Sequence, residues 1–154
     1  MAIEIHLMTE ADIDGIVATF AVWHKYRPQY ERYLAEQERD ARTVFVARDG
    51  ETIVGYGTLV WQPGYVYFRD QNIPEIMDVN VITDYQKQGI GTALIRRCEQ
   101  EAAARGYRAI GTSTVMDDPD YANARHLYPK LGYTPDGYGI TPEDNEIHLT
   151  KALD

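Results

Sequence analysis

The chain has 154 residues, of which 44% are hydrophobic and 25% are charged, and its formal net charge is −9 at pH 7. This composition predicts one domain, residues 1–154, with a sizeable core, and the negative charge disfavours binding to nucleic acid or to anionic membranes. Because no apolar stretch has membrane-spanning length and residues 1–10 lack the regions of a secretion signal, we expect a cytoplasmic protein.

Alternating and helical patterns along the chain predict a mixture of strands and helices. In chain order, the predicted elements are a strand at residues 3–7, a helix ending near residue 24, a helix at 29–40, strands at 43–47, 53–61 and 75–82, a helix at 91–105, a strand at 108–115, a helix opened by Asp118-Pro119, and two last strands, one near residue 133 and one at 146–150. The aromatic segment from Tyr65 to Phe68 is expected to continue the sheet edge or to form a loop.

Two glycines lie where the strand at residues 75–82 gives way to the next helix. Gly89 and Gly91 carry no side chain, so a pyrophosphate can approach the backbone closely at both positions. A helix N-terminus also offers N–H groups without intrahelical partners and the positive end of the helix dipole. The sequence therefore predicts a phosphate site at this turn.

The glycine spacing excludes two common phosphate motifs. A mononucleotide P-loop needs Lys and then Ser or Thr directly after its second glycine, whereas Thr92 follows Gly91. A dinucleotide fingerprint needs a third glycine where this chain has Leu94. The remaining pattern, Gln-x-x-Gly-x-Gly, is formed by Gln86, Gly89 and Gly91. It resembles the acyl-CoA pyrophosphate loop of the GNAT superfamily of N-acetyltransferases.

A second segment carries the same resemblance. Residues 123–133 read NARHLYPKLGY and look like the family's short helix, in which a tyrosine precedes Lys-Leu-Gly and an aromatic residue. The two signatures stand in the family's order and together cover about residues 77–133. The resemblance implies an α/β (α+β) GNAT-like fold, with a mixed, mainly antiparallel sheet flanked by helices and with the fourth and fifth strands splayed apart.

Acetyl-CoA is the cosubstrate that this resemblance implies. Its pantetheine arm would pair with the fourth strand and its pyrophosphate would lie on the glycine loop. The residues expected to bind it are Val79, Val81, Gln86, Lys87, Gln88, Gly89, Ile90, Gly91, Thr92 and Asn123. Lys87 either adds a charge beside a phosphate or is simply solvated. Asn123 stands near the position of the usual family asparagine, which is Tyr121 in this chain.

Acetyl transfer to an amine needs a proton acceptor for the amine and a proton for the departing sulfur. By its offset from the glycine motif, Glu75 matches the general base of the histone-acetylating branch of the family. Asp78 and water remain alternatives, although strand alternation predicts that Asp78 faces away from Glu75. Tyr128 matches the family tyrosine that protonates the CoA sulfur. Pro129 departs from the family pattern and puts the orientation of Tyr128 in question.

Aromatic residues dominate the predicted acceptor side and suit a cationic amine through cation–π contacts. Those expected to line the pocket are Trp23, Tyr26, Tyr30, Tyr67 and Tyr138. No Cys or His cluster has metal-ligand spacing, so no metal is expected. The single cysteine, Cys98, fits a small core residue rather than a nucleophile.

The sequence thus predicts transfer of acetyl from acetyl-CoA to a primary amine by direct attack in a ternary complex. The amine belongs to a small cationic molecule or to a peptide or protein, and the enzyme is expected to be a monomer or a homodimer. Two alternatives are an acyl-CoA-binding sensor without turnover and a purely structural domain.

Overall fold

A single seven-stranded sheet organises the chain in the computed structural model, which describes residues 2–116, 122–142 and 144–154, apart from the side chains of residues 122 and 123. The strands are β1 Ile3–Leu7, β2 Arg42–Asp49, β3 Thr52–Val60, β4 Glu75–Val81, β5 Ala109–Val115, β6 Thr134–Thr141 and β7 Glu146–Ala152. Their order in the sheet is β1-β2-β3-β4-β5-β7-β6, and every pairing except β4 with β5 is antiparallel. The predicted mixed, mainly antiparallel sheet is confirmed.

Helices cover both faces of the sheet. They are α1 Ile13–Phe20, α2 Arg27–Glu38, α3 Val66–Asp70, α4 Ile90–Ala104 and α5 Ala122–Lys130. The first predicted helix is shorter than expected: after Phe20 it continues only as one 3₁₀ turn, and His24 then takes a left-handed φ of 57°. Pro28 lies in the first turn of α2, where its missing N–H would have no helical partner. The Asp118-Pro119 start lies outside the described residues.

The segment from Tyr65 to Phe68 differs from its prediction. It neither continues the sheet edge nor forms a loop, because Val66–Asp70 form the short helix α3. Tertiary packing explains the difference. Phe68 is fully buried over Gly111 of β5, so closely that a Cβ added to Gly111 would lie 2.4 Å from the Phe68 ring. The helix is therefore held by a contact that local sequence patterns do not reveal.

The core is divided between the two faces of the sheet. On one face, α4 and α5 contribute side chains such as Leu94, Cys98 and Tyr128. On the other face, α1 and α2 pack against β2 and β3 through residues that include Phe20 and Tyr56. Below, these two sides are called the α4 face and the α2 face.

The fourth and fifth strands separate soon after they meet. Their parallel pairing consists of Glu75 with Gly111 and Ile76 with Thr112. Beyond these two rungs, the remaining residues of β4 have a neighbouring strand only on the β3 side within the described chain. The splay predicted for these two strands is therefore present, and it leaves one backbone edge of β4 open to an extended ligand.

Candidate active site

The glycine loop joins β4 to α4 in a conformation that presents backbone N–H groups. Lys87 and Gly89 have positive φ values of 62° and 85°. Ala93 donates to the Gly89 carbonyl oxygen at 3.0 Å, so the N–H groups that precede Ala93 fall outside the helical ladder. The Gln86 side chain ties the loop back to β4, because its Nε2 donates to the Val81 carbonyl oxygen at 2.9 Å. The predicted phosphate site thus has a defined backbone geometry.

Space around the loop fits a bulky anion. A Cβ at Gly89 would meet nothing within 4 Å, and one at Gly91 would meet only the Val81 side chain at 3.9 Å. Lys87 and Gln88 are exposed, and Thr92 is half-buried. Ile90 is buried in the core of the α4 face, so its backbone rather than its side chain is available to a ligand. The Asn123 side chain lies outside the described residues.

Glu75 is a buried carboxylate at the first of the two rungs that β4 and β5 share. Its exposed fraction is 4%, and its Oε2 accepts a hydrogen bond from Ser113 Oγ at 3.0 Å. Burial raises the pKa of Glu75 to about 7, with Ser113 lowering it and the carboxylates of Glu146 and Asp144 adding to the rise. A carboxyl with this pKa can exchange a proton near neutral pH.

Tyr128 lies across the sheet from Glu75. Helix α5 continues through Pro129 to Lys130, and Tyr128 remains buried beside Tyr133, with ring centroids 5.2 Å apart. Its hydroxyl is hydrogen-bonded with Thr112, whose own hydroxyl donates to the Ile76 carbonyl oxygen at 3.1 Å. Pro129 therefore does not turn the ring out of the core.

The rung next to the one that carries Glu75 locates the Tyr128 hydroxyl. Thr112, its partner, pairs with Ile76 next to Glu75. Burial raises the pKa of Tyr128, and the Thr112 hydrogen bond offsets part of this rise. The phenol consequently keeps its proton at neutral pH and remains a donor.

Val79 and Val81 face the α4 core, where both are half-buried. Their backbone lies on the stretch of β4 that β5 does not cover, as expected for a strand that pairs with an extended ligand.

Asp78 does not lie where strand alternation predicts. Tyr56 pairs with Asn80 and Thr58 with Met77, so both Asp78 and Val79 lie opposite Gly57 in a β-bulge. The Asp78 carboxylate accepts hydrogen bonds from side chains of the α2 face, and Val60 of β3 places Glu75 on that same face. The predicted opposite orientation is wrong because the bulge inserts one residue.

The aromatic residues predicted for the acceptor side form separate groups. Trp23 packs on Phe20, Tyr26 is 58% exposed, and Tyr30 is fully buried with its hydroxyl 3.4 Å from that of Tyr56. Tyr30 therefore belongs to the buried core of the α2 face.

A second aromatic group lies over β5 and β7. Tyr67 and Tyr138 have ring centroids 4.5 Å apart, and Tyr65 stacks on His148 at 3.5 Å. His148 pairs with Ser113 across β5 and β7. This group thus lies beside Glu75.

Sequence patterns missed several residues of the site. The pairing of neighbouring strands places Ser113 and His148 at the site. Asp136 joins the site because its Oδ2 accepts a hydrogen bond from the Tyr65 hydroxyl at 2.7 Å. No apolar-polar alternation shows which way Ser113 faces, because it lies between Thr112 and Thr114. Among the residues described, no three or more Cys, His, Asp or Glu side chains are grouped to hold a metal ion. Nor has any helix in those ranges the length and apolar character needed to cross a bilayer.

The site thus combines a helix start with N–H groups outside the helical ladder, an open strand edge, and a buried carboxyl and a buried phenol at adjacent rungs. The chain belongs to the Acetyltransferase (GNAT) family, whose model matches residues 11–133. It is accordingly an enzyme of the acetyltransferase class. No curated protein matches the sequence.

Solved structures share the fold over nearly the whole chain. PaiA N-acetyltransferase from Thermoplasma acidophilum, in complex with coenzyme A, is 16% identical with a TM-score of 0.72 and covers 99% of this chain and 100% of its own. Ribosomal-protein-alanine N-acetyltransferase from Brucella melitensis is 20% identical with a TM-score of 0.74, covering 97% and 99%. Aminoglycoside 6'-N-acetyltransferase from Enterococcus faecium is 19% identical with a TM-score of 0.74, covering 98% and 97%. At these identities the likeness establishes the fold.

Proposed function

We propose that the protein transfers the acetyl group of acetyl-CoA to a primary amine by direct attack in a ternary complex. One observation carries the proposal. Glu75 on the α2 face and the Tyr128 hydroxyl on the α4 face lie at the two adjacent rungs after which β4 and β5 part. A thioester lying in the gap beyond these rungs would have a proton acceptor on one side and a proton donor on the other.

The residues present fit acetyl-CoA. The loop from Gln86 to Thr92 would hold the pyrophosphate through backbone N–H groups, and the β4 backbone at Val79 and Val81 would pair with the pantetheine arm. Bound there, acetyl-CoA supplies the activated acetyl group. A β4 N–H beside the gap would stabilise negative charge on the carbonyl oxygen. This fit supports acetyl-CoA as the cosubstrate.

Each proton has a proposed carrier. Glu75, with a pKa of about 7, would accept the amine proton directly or through a water molecule. Tyr128, whose pKa is raised by burial, would donate its proton to the departing sulfur. Cys98 is fully buried, and burial raises the pKa of its thiol to about 12, which disfavours a covalent acyl-cysteine route. Direct attack is therefore the simpler proposal.

The acceptor is proposed to be a small cationic molecule or a peptide or protein amine. The net charge of −9 attracts cations, and carboxylates lie among the aromatic rings, as where Asp136 accepts from Tyr65. The related acetyltransferases named for aminoglycosides and for a ribosomal-protein alanine are consistent with either kind. The sequence-based proposals of a cytoplasmic location, a single domain and a monomer or homodimer stand unchanged.

The test is thiol release from acetyl-CoA in the presence of a panel of amines. The panel includes a diamine, an aminoglycoside and a peptide with a free N-terminus and a lysine. Release that depends on one of these amines supports the proposal, and mass spectrometry must then show one added acetyl group on that amine. Thermal stabilisation by CoA without amine-dependent release would instead identify a sensor. Absence of both effects would contradict any CoA-dependent role.

A further inference from the structure

Asp78 gathers more hydrogen-bond donors than a strand carboxylate ordinarily does. It lies in the β4 bulge, adopts a φ of 56°, and its side chain is 22% exposed. Its oxygens accept from side chains of the α1–α2 connection, of α2, of β3 and of β4 itself. The donors are Lys25 Nζ at 3.3 Å, Gln29 Nε2 at 2.9 Å, Tyr33 Oη at 2.8 Å, Tyr56 Oη at 3.0 Å and Asn80 Nδ2 at 2.7 Å.

This crowding excludes Asp78 as the proton acceptor. A carboxylate has about four lone-pair positions, and the five side chains fill them. Burial raises the pKa of Asp78, but Lys25 and then the hydrogen bonds of Tyr33, Asn80 and Tyr56 outweigh it, so the pKa lies below its usual value. An amine proton would find neither a free lone pair nor a basic group at this position.

The bulge decides which way the rest of β4 faces. Glu75 and Met77 lie on the α2 face, so unbroken alternation would place Val79 and Val81 there as well. With the inserted residue, both valines turn to the α4 face, where a Cβ at Gly57 would lie 3.4 Å from Val79. Odd-numbered residues of β4 therefore face the α2 side up to Met77 and the α4 side from Val79 onward.

A non-glycine residue rarely adopts the left-handed conformation of Asp78 without outside support. The carboxylate provides that support, because it joins the bulge to α2 through Gln29 and Tyr33 and to β3 through Tyr56. We propose that Asp78 is a positioning residue whose hydrogen-bond network fixes the β4 bulge, and thereby aligns the β4 backbone beside the thioester with Glu75. This inference rests on the proposed acetyl transfer.

Two substitutions separate this role from others. Asp78→Gly keeps a backbone that tolerates positive φ and removes the carboxylate, whereas Asp78→Asn keeps the shape and directs an NH₂ group at donors. The matched control is Glu99→Gln. Glu99 is another buried carboxylate with a lysine and a tyrosine as donors, Lys151 and Tyr133, but it lies on α4.

Both Asp78 variants are expected to lower kcat by about tenfold or more, because small misalignments at a reacting centre cost large rate factors. The Kd of CoA should rise by less than kcat falls, because the pantetheine pairing is loosened while the glycine loop is untouched, and the acidic limb of the pH profile should remain near that of the parent. Glu99→Gln should lose stability while its kcat stays within about threefold. Hydrogen exchange should show faster amide exchange at Ile82, whose N–H donates to the Val54 carbonyl oxygen of β3 at 2.9 Å, in the Asp78 variants only.

Full kcat in folded Asp78→Gly would overturn the inference and leave Asp78 a merely structural residue. Loss of the acidic limb in Asp78→Asn would also overturn it, because Asp78 would then be the base. If the parent itself releases no thiol with any amine, the proposed function fails. The exchange measurement still decides whether the network holds the bulge: unchanged exchange at Ile82 would refute that as well.

Discussion

Replacing Glu75 by Gln tests the buried base by two independent measurements. Gln keeps the size of the side chain and an acceptor for the Ser113 hydroxyl, but it cannot ionise. Because burial raises the pKa of Glu75 to about 7, the kcat/KM of the parent should rise with pH through about 7 as the carboxylate forms. The Gln variant should lose this limb and most of the rate, while its acetyl-CoA affinity stays near that of the parent.

The raised pKa of Glu75 also predicts how the free energy of unfolding depends on pH. A carboxyl whose pKa is higher in the folded chain than in the unfolded chain stabilises the fold below the ordinary value of 4.5, and that contribution is lost as pH rises through about 7. The span from 4.5 to about 7 corresponds to about 3 kcal/mol, because each pH unit is worth about 1.4 kcal/mol. The variant should therefore be more stable than the parent by up to about 3 kcal/mol at high pH.

Urea unfolding of parent and variant at a series of pH values between about 4.5 and 8.5 measures this difference. The two free energies of unfolding should converge at the acid end and diverge as pH rises. A constant difference would show that Glu75 is not a carboxyl of raised pKa and would refute the reasoning. An unchanged pH–rate profile in the variant would assign proton removal to water.

Three further substitutions test the rest of the site. Gly89→Asp puts a carboxylate where the pyrophosphate is expected and should abolish CoA binding, as measured by calorimetry. Gly106→Asp is the control, because both glycines have open surroundings and similar φ values of 85° and 88°, and they lie at opposite ends of α4. CoA affinity that survives Gly89→Asp would remove the phosphate site. Tyr128→Phe should lower kcat by about tenfold or more with little change in Tm, since only the proton donor is lost, and a Phe variant that turns over like the parent would give that role to water. Ser113→Ala removes a hydrogen bond that lowers the pKa of Glu75, so the acidic limb should move to higher pH; a limb that stays in place or moves to lower pH would show that Ser113 does not act on the ionised base.

Local chemistry explains why the glycine loop was predictable. Its signal is a glycine spacing at a helix start, and both the strand before it and α4 follow from patterns within a few residues. Tyr128 was predictable for the same reason, since its signature is contiguous. Even Pro129 leaves this region intact, because the helix ends at Lys130, two residues beyond Tyr128.

The contacts that define the chemistry were not predictable in this way. Ser113 reaches Glu75 across 38 positions of sequence, and only the β4–β5 register brings them together. The orientation of Asp78 depends on one bulge, and a single inserted residue reverses every later inference from alternation. No local pattern marks a bulge at a non-glycine residue, because its conformation is supported by side chains from other elements.

The packing of Phe68 over Gly111 has a consequence for how this enzyme can change through mutation. Gly111 pairs directly with Glu75, and any side chain added there would collide with the Phe68 ring of α3. A larger residue at Gly111 is therefore tolerated only after Phe68 has become smaller. We expect the two positions to covary among descendants of this chain. A change of acceptor preference that involves Phe68 of α3 would thus depend on the residue at position 111, which pairs with Glu75.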